Sequence, residues 1–135
     1  MCERFTLLAA GLMGFAAVLL GALGAHLLKD TIVAHGELEN FQLAKEYCFY
    51  HALALGAIAI QLRVAPSRCA KFAAAAFLLG SVAFQGSLVV LSLTGWRAIV
   101  YVTPFGGILL MAGWLCWACS GCCGAACGKR TEDGS

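Results

Sequence analysis

Four long apolar stretches alternate with short charged segments along the chain. The first, residues 5–28, holds 24 residues without Asp, Glu, Lys or Arg. A helix of that length, at about 1.5 Å per residue, is long enough to cross the roughly 30 Å hydrocarbon core of a bilayer. Similar stretches predict further spans at about residues 43–62, 72–94 and 104–126. The pattern therefore predicts an all-α polytopic membrane protein, an antiparallel bundle of four transmembrane helices.

Local signals place the ends of these helices. Residues 47–62 are uncharged for only 16 residues, so the second helix is predicted to begin several residues earlier. Gly95 and Trp96 end the third span, as a glycine beyond the last turn and an indole at the headgroup level. Thr103 and Pro104 are predicted as the N-cap and first position of the fourth helix.

Composition supports the same class of protein. Of the 135 residues, 61% are hydrophobic and 12% charged, whereas a soluble domain has about 45–50% and 25%. The lipid bilayer is therefore the expected partner, and the net charge of +2 is too small to indicate nucleic acid. We expect one membrane domain over residues 1–128 and a disordered polar tail over 129–135.

Basic residues near the span ends predict the orientation, because Lys and Arg are enriched on the cytosolic side. Three basic residues lie on one predicted face, Lys29, Lys45 and Arg97. Six lie on the other: Arg4, Arg63, Arg68, Lys71, Lys129 and Arg130. Both termini are therefore expected in the cytosol, or in the matrix of an organelle of bacterial descent.

Small residues recur at helical spacing within the spans. Membrane helices associate through close backbone approach, which requires such residues on the touching faces. The first helix has a five-residue stripe at spacings of four and three from Ala10 to Gly24, and the third has another from Ala73 to Ser87. The glycines predicted to pack between helices are Gly14, Gly21, Gly24, Gly56, Gly80, Gly106 and Gly107.

Four polar side chains inside the spans are candidate functional residues. His26 and His51 are expected to meet where the first hairpin closes, with Tyr47 as a neighbour. Such a pair suits structural hydrogen bonding, a proton or ligand role, or metal binding, although two histidines alone make an incomplete metal site. Gln85 lies near the middle of the third span and must face protein or water, either inside the bundle or against a partner subunit.

Five of the eight cysteines crowd the end of the last apolar stretch. Three interpretations stay open: small apolar packing residues, a metal or redox site, and thiols for reversible acylation at a membrane boundary. The candidates for acylation are Cys119, Cys122, Cys123 and Cys127.

Four motifs, in this order, resemble a widespread family of small membrane proteins. They are GALGAH at 21–26, the segment at 47–55 with its HALAL core, GSL at 86–88 with LTG at 93–95, and TPFGG at 103–107 followed by Gly113-Trp114. The family is domain of unknown function 423, which includes bacterial inner-membrane proteins and the eukaryotic transmembrane protein 256-like proteins. The resemblance covers residues 7–114 and implies four spans without an established activity.

The sequence departs from that family's pattern at three positions. Cys48 stands where glutamine is usual, Gln85 where a small serine is common, and Val89 where an aromatic residue is common. The cysteine-rich end lies outside the resemblance.

The sequence favours a protein that is not an enzyme. It has no nucleophile elbow, phosphate loop, H-E-x-x-H motif or paired intramembrane carboxylates, and it indicates neither catalytic residues nor a cofactor. We expect a non-catalytic bundle that forms homo-oligomers or joins a membrane complex. The alternative is a transporter or channel for protons or a small solute, with His26, His51 and Gln85 along the path.

Overall fold

Helices make up almost all of the protein. The structure, a computed structural model, describes residues 2–127, with side chains up to Gly121. In chain order it contains α1 (Glu3–Ala25), α2 (Lys29–Ala34), α3 (Leu38–Val64), α4 (Arg68–Thr94), a short 3₁₀ helix (Arg97–Tyr101) and α5 (Thr103–Cys127). Four of these elements are long and apolar enough to cross a membrane, which confirms the predicted all-α, four-span class. The predicted tail, residues 129–135, lies outside the described part.

The second spanning helix, α3, is longer than its uncharged stretch. It begins at Leu38 rather than near residue 43, so five more residues, including the charged Glu39, belong to the helix. Its first turns are held against the end of α1, where Phe41 is only 4% exposed and its ring lies over Gly24. The prediction began this helix about five residues too late because residues 37–42 belong to a charged segment, whereas packing on α1 carries the helix back to Leu38.

Helices α1 and α3 pack as an antiparallel pair through small residues. A side chain added at Gly24 would clash with Phe41, and one added at Gly21 would touch Lys45. Further along the pair, Gly14 faces Ala52 at ordinary contact distance. The two residue numbers at each contact sum to about 66. A residue of α3 therefore lies opposite the α1 residue whose number is 66 minus its own.

Helix α4 lies between α3 and α5. At its contact with α5, a Cβ added to Gly106 would lie 2.5 Å from the backbone nitrogen of Phe84, and one added to Gly80 would lie 2.9 Å from Leu110. The order of spans is therefore α1, α3, α4, α5, with the extensive contacts between successive members. Because α4 packs on two sides, 50% of its apolar span is buried, compared with 17% for the first and last spans of the row.

The connections between the spans lie at opposite ends of this row. At one end, α2 buries Ile32, and His35 Nδ1 lies 3.1 Å from the carbonyl oxygen of Ser92. Next to His35, Gly95 ends α4 with a φ of +68°, a conformation that glycine adopts without strain. At the other end, Ser67 caps α4 by accepting a hydrogen bond from the backbone N–H of Ala70. We call the first end, which carries α2 and the 3₁₀ helix, the α2 end.

Candidate functional site: a polar cluster at the level of the membrane midplane

His51 lies at the centre of α3. The helix runs from residue 38 to residue 64, so 13 residues, or about 20 Å, separate His51 from either end. The side chain is only 3% exposed. Ser81 lies at the centre of α4, which spans residues 68–94. The imidazole is therefore at the depth where the middle of a bilayer would be, and a polar group at that depth requires partners.

Two hydrogen bonds fix the state of the His51 ring. Nδ1 lies 2.8 Å from the backbone carbonyl oxygen of Tyr47, one turn earlier in α3. Nε2 lies 3.4 Å from Nε1 of Trp114, which has only an N–H to donate. Because Nε2 must accept, the hydrogen-bond pattern assigns the neutral tautomer with its proton on Nδ1. Both ring nitrogens are thus occupied by bonds inside the chain.

Aromatic rings from three helices surround the imidazole. Ring centroids lie 5.9 Å away for Tyr47, 5.3 Å for Phe77 and 6.1 Å for Trp114. These distances fall in the range of about 4.5–7 Å at which aromatic pairs attract one another. The cluster joins α3, α4 and α5 at one level, so its geometry suits a structural lock between helices.

Gln85 lies beside this cluster and resolves the two alternatives left by the sequence. It is 4% exposed, and its amide nitrogen lies 3.5 Å from His51 Nδ1, so it faces α3 within the chain rather than a partner subunit. Since Nδ1 carries the proton, the amide is better assigned with its oxygen toward His51. The end of the Gln85 amide that points away from His51 is buried without a partner, and so is the Ser81 hydroxyl one turn away. Each such group costs about 1–3 kcal/mol.

A second polar cluster, which was not predicted from the sequence, joins α3 to α5 toward the end of the row opposite the α2 end. The Gln61 amide oxygen accepts a hydrogen bond from Trp117 Nε1 at 2.6 Å, and its nitrogen donates to Ser120 Oγ at 2.9 Å. Ser120 in turn donates to the Trp117 carbonyl oxygen. The available signal was a glutamine two residues inside Arg63, together with Trp and Ser on the last span.

The expectation that His26 and His51 meet is wrong. His26 is exposed and follows the last residue of α1, where its backbone N–H donates to Leu23. The register of α1 on α3 places His51 opposite residue 15, which is 11 residues, or about 16 Å, from His26. The physical reason is the early start of α3, which moves His51 from the end of its helix to the middle.

Lys45 and Glu46 are charged residues near the predicted start of the second span, and neither was singled out as a candidate site. By the same register, Glu46 lies opposite residue 20, about 7 Å inside the end of α1. Glu46 is exposed on the outside of the row, and Tyr50 one turn later is 53% exposed. A shallow cavity of about 360 Å³ beside them is lined by Ala17, Val18, Gly21, Lys45, Glu46, Phe49 and Tyr50. Ionisable residues at membrane depth are uncommon and mark functional surfaces.

The remaining predicted positions lie apart from these clusters. Gly107 is 3.8 Å from the Phe84 ring, whereas nothing lies within 4 Å of a Cβ added at Gly56. Cys119 is a free, exposed thiol on α5. Cys122, Cys123 and Cys127 lie outside the residues whose side chains the structure describes. Among the described residues, no three His, Cys, Asp or Glu side chains are grouped so as to hold a metal ion.

Comparison with known proteins identifies relatives of this fold. Residues 20–107 match the family described as protein of unknown function (DUF423). The chain is 39% identical to the UPF0382 inner membrane protein YgdD of Escherichia coli (strain K12), over 84% of this chain and 86% of that protein.

Similar proteins occur in other bacteria. A UPF0382 membrane protein of Haemophilus influenzae is 34% identical, over 77% of this chain and 82% of its own length. A UPF0382 membrane protein of Staphylococcus saprophyticus is 39% identical, over 73% and 81%. No solved structure matches the chain. The matched range and these relatives together show that the chain belongs to the DUF423 family of multi-pass membrane proteins.

Proposed function

We propose that this protein is a non-catalytic membrane protein that associates with a second copy of itself or with a larger membrane complex. The observation that carries the proposal is the exposure of Glu46 on the outside of the row, at a level inside the end of α1. A charged group facing lipid at that depth is costly unless another group pairs with it. A partner helix that donates a hydrogen bond or carries a cation would remove that cost.

The surface around Glu46 suits a helical partner. Ala17 and Gly21 leave a shallow hollow on α1, and Phe49 and Tyr50 flank it on α3. Small residues allow a close approach of helices, and the Tyr50 hydroxyl adds a second hydrogen-bonding group at the same surface. We call this surface, formed by residues 17–21 of α1 and 45–50 of α3, the Glu46 face.

The open order of the spans also supports association. Outer helices α1 and α5 pack extensively against one neighbour each, and Leu12, Phe15 and Val18 of α1 are at least 60% exposed. Lipid covers such apolar surface readily, so this feature alone does not select a partner. Combined with the carboxylate of Glu46, it favours the α1 side of the row as the interface.

Crosslinking in native membranes, followed by extraction in a mild detergent, tests the proposal. The wild type should give a defined oligomer or complex, and Glu46→Leu should reduce it several-fold. Glu39→Leu is the matched control, because Glu39 is also exposed on α3 but lies in its first turn, at the membrane boundary. A wild-type protein that is strictly monomeric, or equal yields for the two variants, would refute the proposal.

Transport of protons or a small solute is the alternative function. It would require His26, His51 and Gln85 to act in series, whereas His26 is about 16 Å from the level of His51 and both His51 nitrogens are hydrogen-bonded. Flux measured in proteoliposomes separates the two functions. A flux that His51→Ala abolishes would favour transport, and absence of flux would favour association.

A further inference from the structure

A groove opens between α3 and the start of α5, and its lining shares no residue with the Glu46 face. It has a volume of about 650 Å³, within the range of about 300–1,000 Å³ typical of sites for small ligands. Helix α4 forms its floor, and the 3₁₀ helix forms part of one wall. The apolar part of the lining consists of Leu43, Phe84, Leu88, Leu91 and Val100.

The depth of the groove matches one leaflet of a bilayer. Phe84, Leu88 and Leu91 recur at spacings of four and three, so they lie on one face of α4. From Phe84 to the end of α4 at Thr94 is ten residues, or about 15 Å. Half of a roughly 30 Å hydrocarbon core is also about 15 Å. The groove therefore runs from the membrane boundary toward the midplane, the path of a lipid acyl chain.

The inner end of the groove is closed. The Phe84 ring packs on Tyr47 with ring centroids 5.2 Å apart, and Tyr47 in turn packs on His51. On the other side, α5 reaches α4 where Gly106 lies against the Phe84 backbone, and Ser87 and Thr103 share a hydrogen bond of 2.7 Å. A chain entering the groove would end at Phe84, so the groove is a blind cleft separate from the His51 cluster.

Charged and polar groups ring the outer end of the groove. Arg97 is exposed at the start of the 3₁₀ helix, beside Trp96, and Glu37 lies on the opposite wall just before α3. Asn40 donates a hydrogen bond to one carboxylate oxygen of Glu37. A carboxylate has about four acceptor positions, so it retains capacity for an ammonium group. Arginine presents a fork of N–H donors that suits phosphate.

From this charge arrangement we propose that the groove binds a phospholipid with a phosphate and a primary amine, such as phosphatidylethanolamine. The acyl chain would lie on the α4 floor, the phosphate on Arg97 and the ammonium group on Glu37. A quaternary amine, as in phosphatidylcholine, has no N–H to donate to Glu37. An anionic headgroup without an amine, as in phosphatidylglycerol, would meet the Glu37 carboxylate unfavourably. The proposal goes beyond association, because the groove and the Glu46 face are separate surfaces.

Native mass spectrometry of the full chain, released from detergent after addition of one lipid at a time, tests this site. Phosphatidylethanolamine should remain bound at several-fold higher occupancy than phosphatidylcholine or phosphatidylglycerol. Arg97→Ala and Glu37→Gln should each reduce that occupancy about tenfold and abolish the headgroup preference. Arg63→Ala is the matched control, because Arg63 is an exposed arginine at the opposite end of α3 and should leave binding unchanged.

A second variant tests the groove without altering charge. Val100→Trp fills the apolar wall at a residue that is 42% exposed, so the fold should persist by circular dichroism while lipid occupancy falls. Equal occupancy of the three lipids, or binding unaffected by both Arg97→Ala and Val100→Trp, would overturn the proposal.

Discussion

Trp114 on α5 donates a hydrogen bond of 3.4 Å from its indole nitrogen to Nε2 of His51 on α3. The bond joins two helices that are not successive members of the row, since α4 lies between them. The bond lies at the centre of α3 and completes the partners of the imidazole, whose other nitrogen bonds Tyr47. In the hydrocarbon interior neither the indole N–H nor the imidazole has water as an alternative partner. This pair therefore fixes the position of α5 relative to α3.

Replacing His51 should destabilise the fold, whereas replacing His26 should not. His51→Ala removes a buried ring and leaves the Trp114 N–H without its acceptor, so we expect a loss of about 2–4 kcal/mol in the free energy of unfolding. His26→Ala changes an exposed side chain at the end of α1, and a change within about 0.5 kcal/mol is expected. Unfolding of the protein in mixed micelles, followed by tryptophan fluorescence, measures both. Equal losses would contradict the assignment of His51 as an interhelical lock.

Substitution of the two interhelical glutamines, Gln61 and Gln85, should change stability in opposite directions. Gln61→Met removes an amide that is hydrogen-bonded at both its oxygen and its nitrogen and leaves Trp117 Nε1–H unpaired, so a loss of about 1 kcal/mol is expected. Gln85→Met removes an amide that, in either orientation, has one end buried without a partner, so stability should stay constant or rise by up to about 1 kcal/mol. The same unfolding measurement compares them. A greater loss of stability for Gln85→Met than for Gln61→Met would contradict the assignment of an unpaired amide end to Gln85.

Close approach of α4 and α5 depends on Gly106. A Cβ there would lie 2.5 Å from backbone atoms of Phe84, which cannot move aside as a flexible side chain would, so Gly106→Ala should cost about 1–3 kcal/mol. Gly121 is on the same helix with nothing within 4 Å of an added Cβ. Gly121→Ala should be neutral or stabilising, because alanine is the better helix former. Thermal unfolding of the two variants in one detergent gives the comparison, and a similar midpoint for both would contradict the packing.

The spans could be predicted from hydropathy because a bilayer imposes both length and apolarity on a helix. Small-residue spacing likewise indicated glycines that lie between helices, such as Gly24 under Phe41 and Gly80 against Leu110, although Gly56 has nothing within 4 Å of an added Cβ. Both signals are local in the sequence, because each can be found within the residues of a single helix.

Partners of the polar residues could not be predicted in the same way. His51 was expected near the end of its helix because the predicted span began at about residue 43, whereas α3 begins at Leu38. The actual partners, Trp114 and Gln85, are 63 and 34 residues away along the chain. Hydropathy contains no information on which faces of α3, α4 and α5 meet, so neither the His51 cluster nor the Gln61 bonds followed from sequence.

Membrane topology is the most direct test of the four-span structure. In a cysteine-free background, His35→Cys and Arg68→Cys place single thiols at opposite ends of α4, since His35 packs at its last turns and Arg68 is its first residue. We predict that an impermeant maleimide added outside intact cells labels position 35 and that position 68 reacts only after the cytosolic side is opened. Labelling of both positions from the same side would contradict the four-span arrangement.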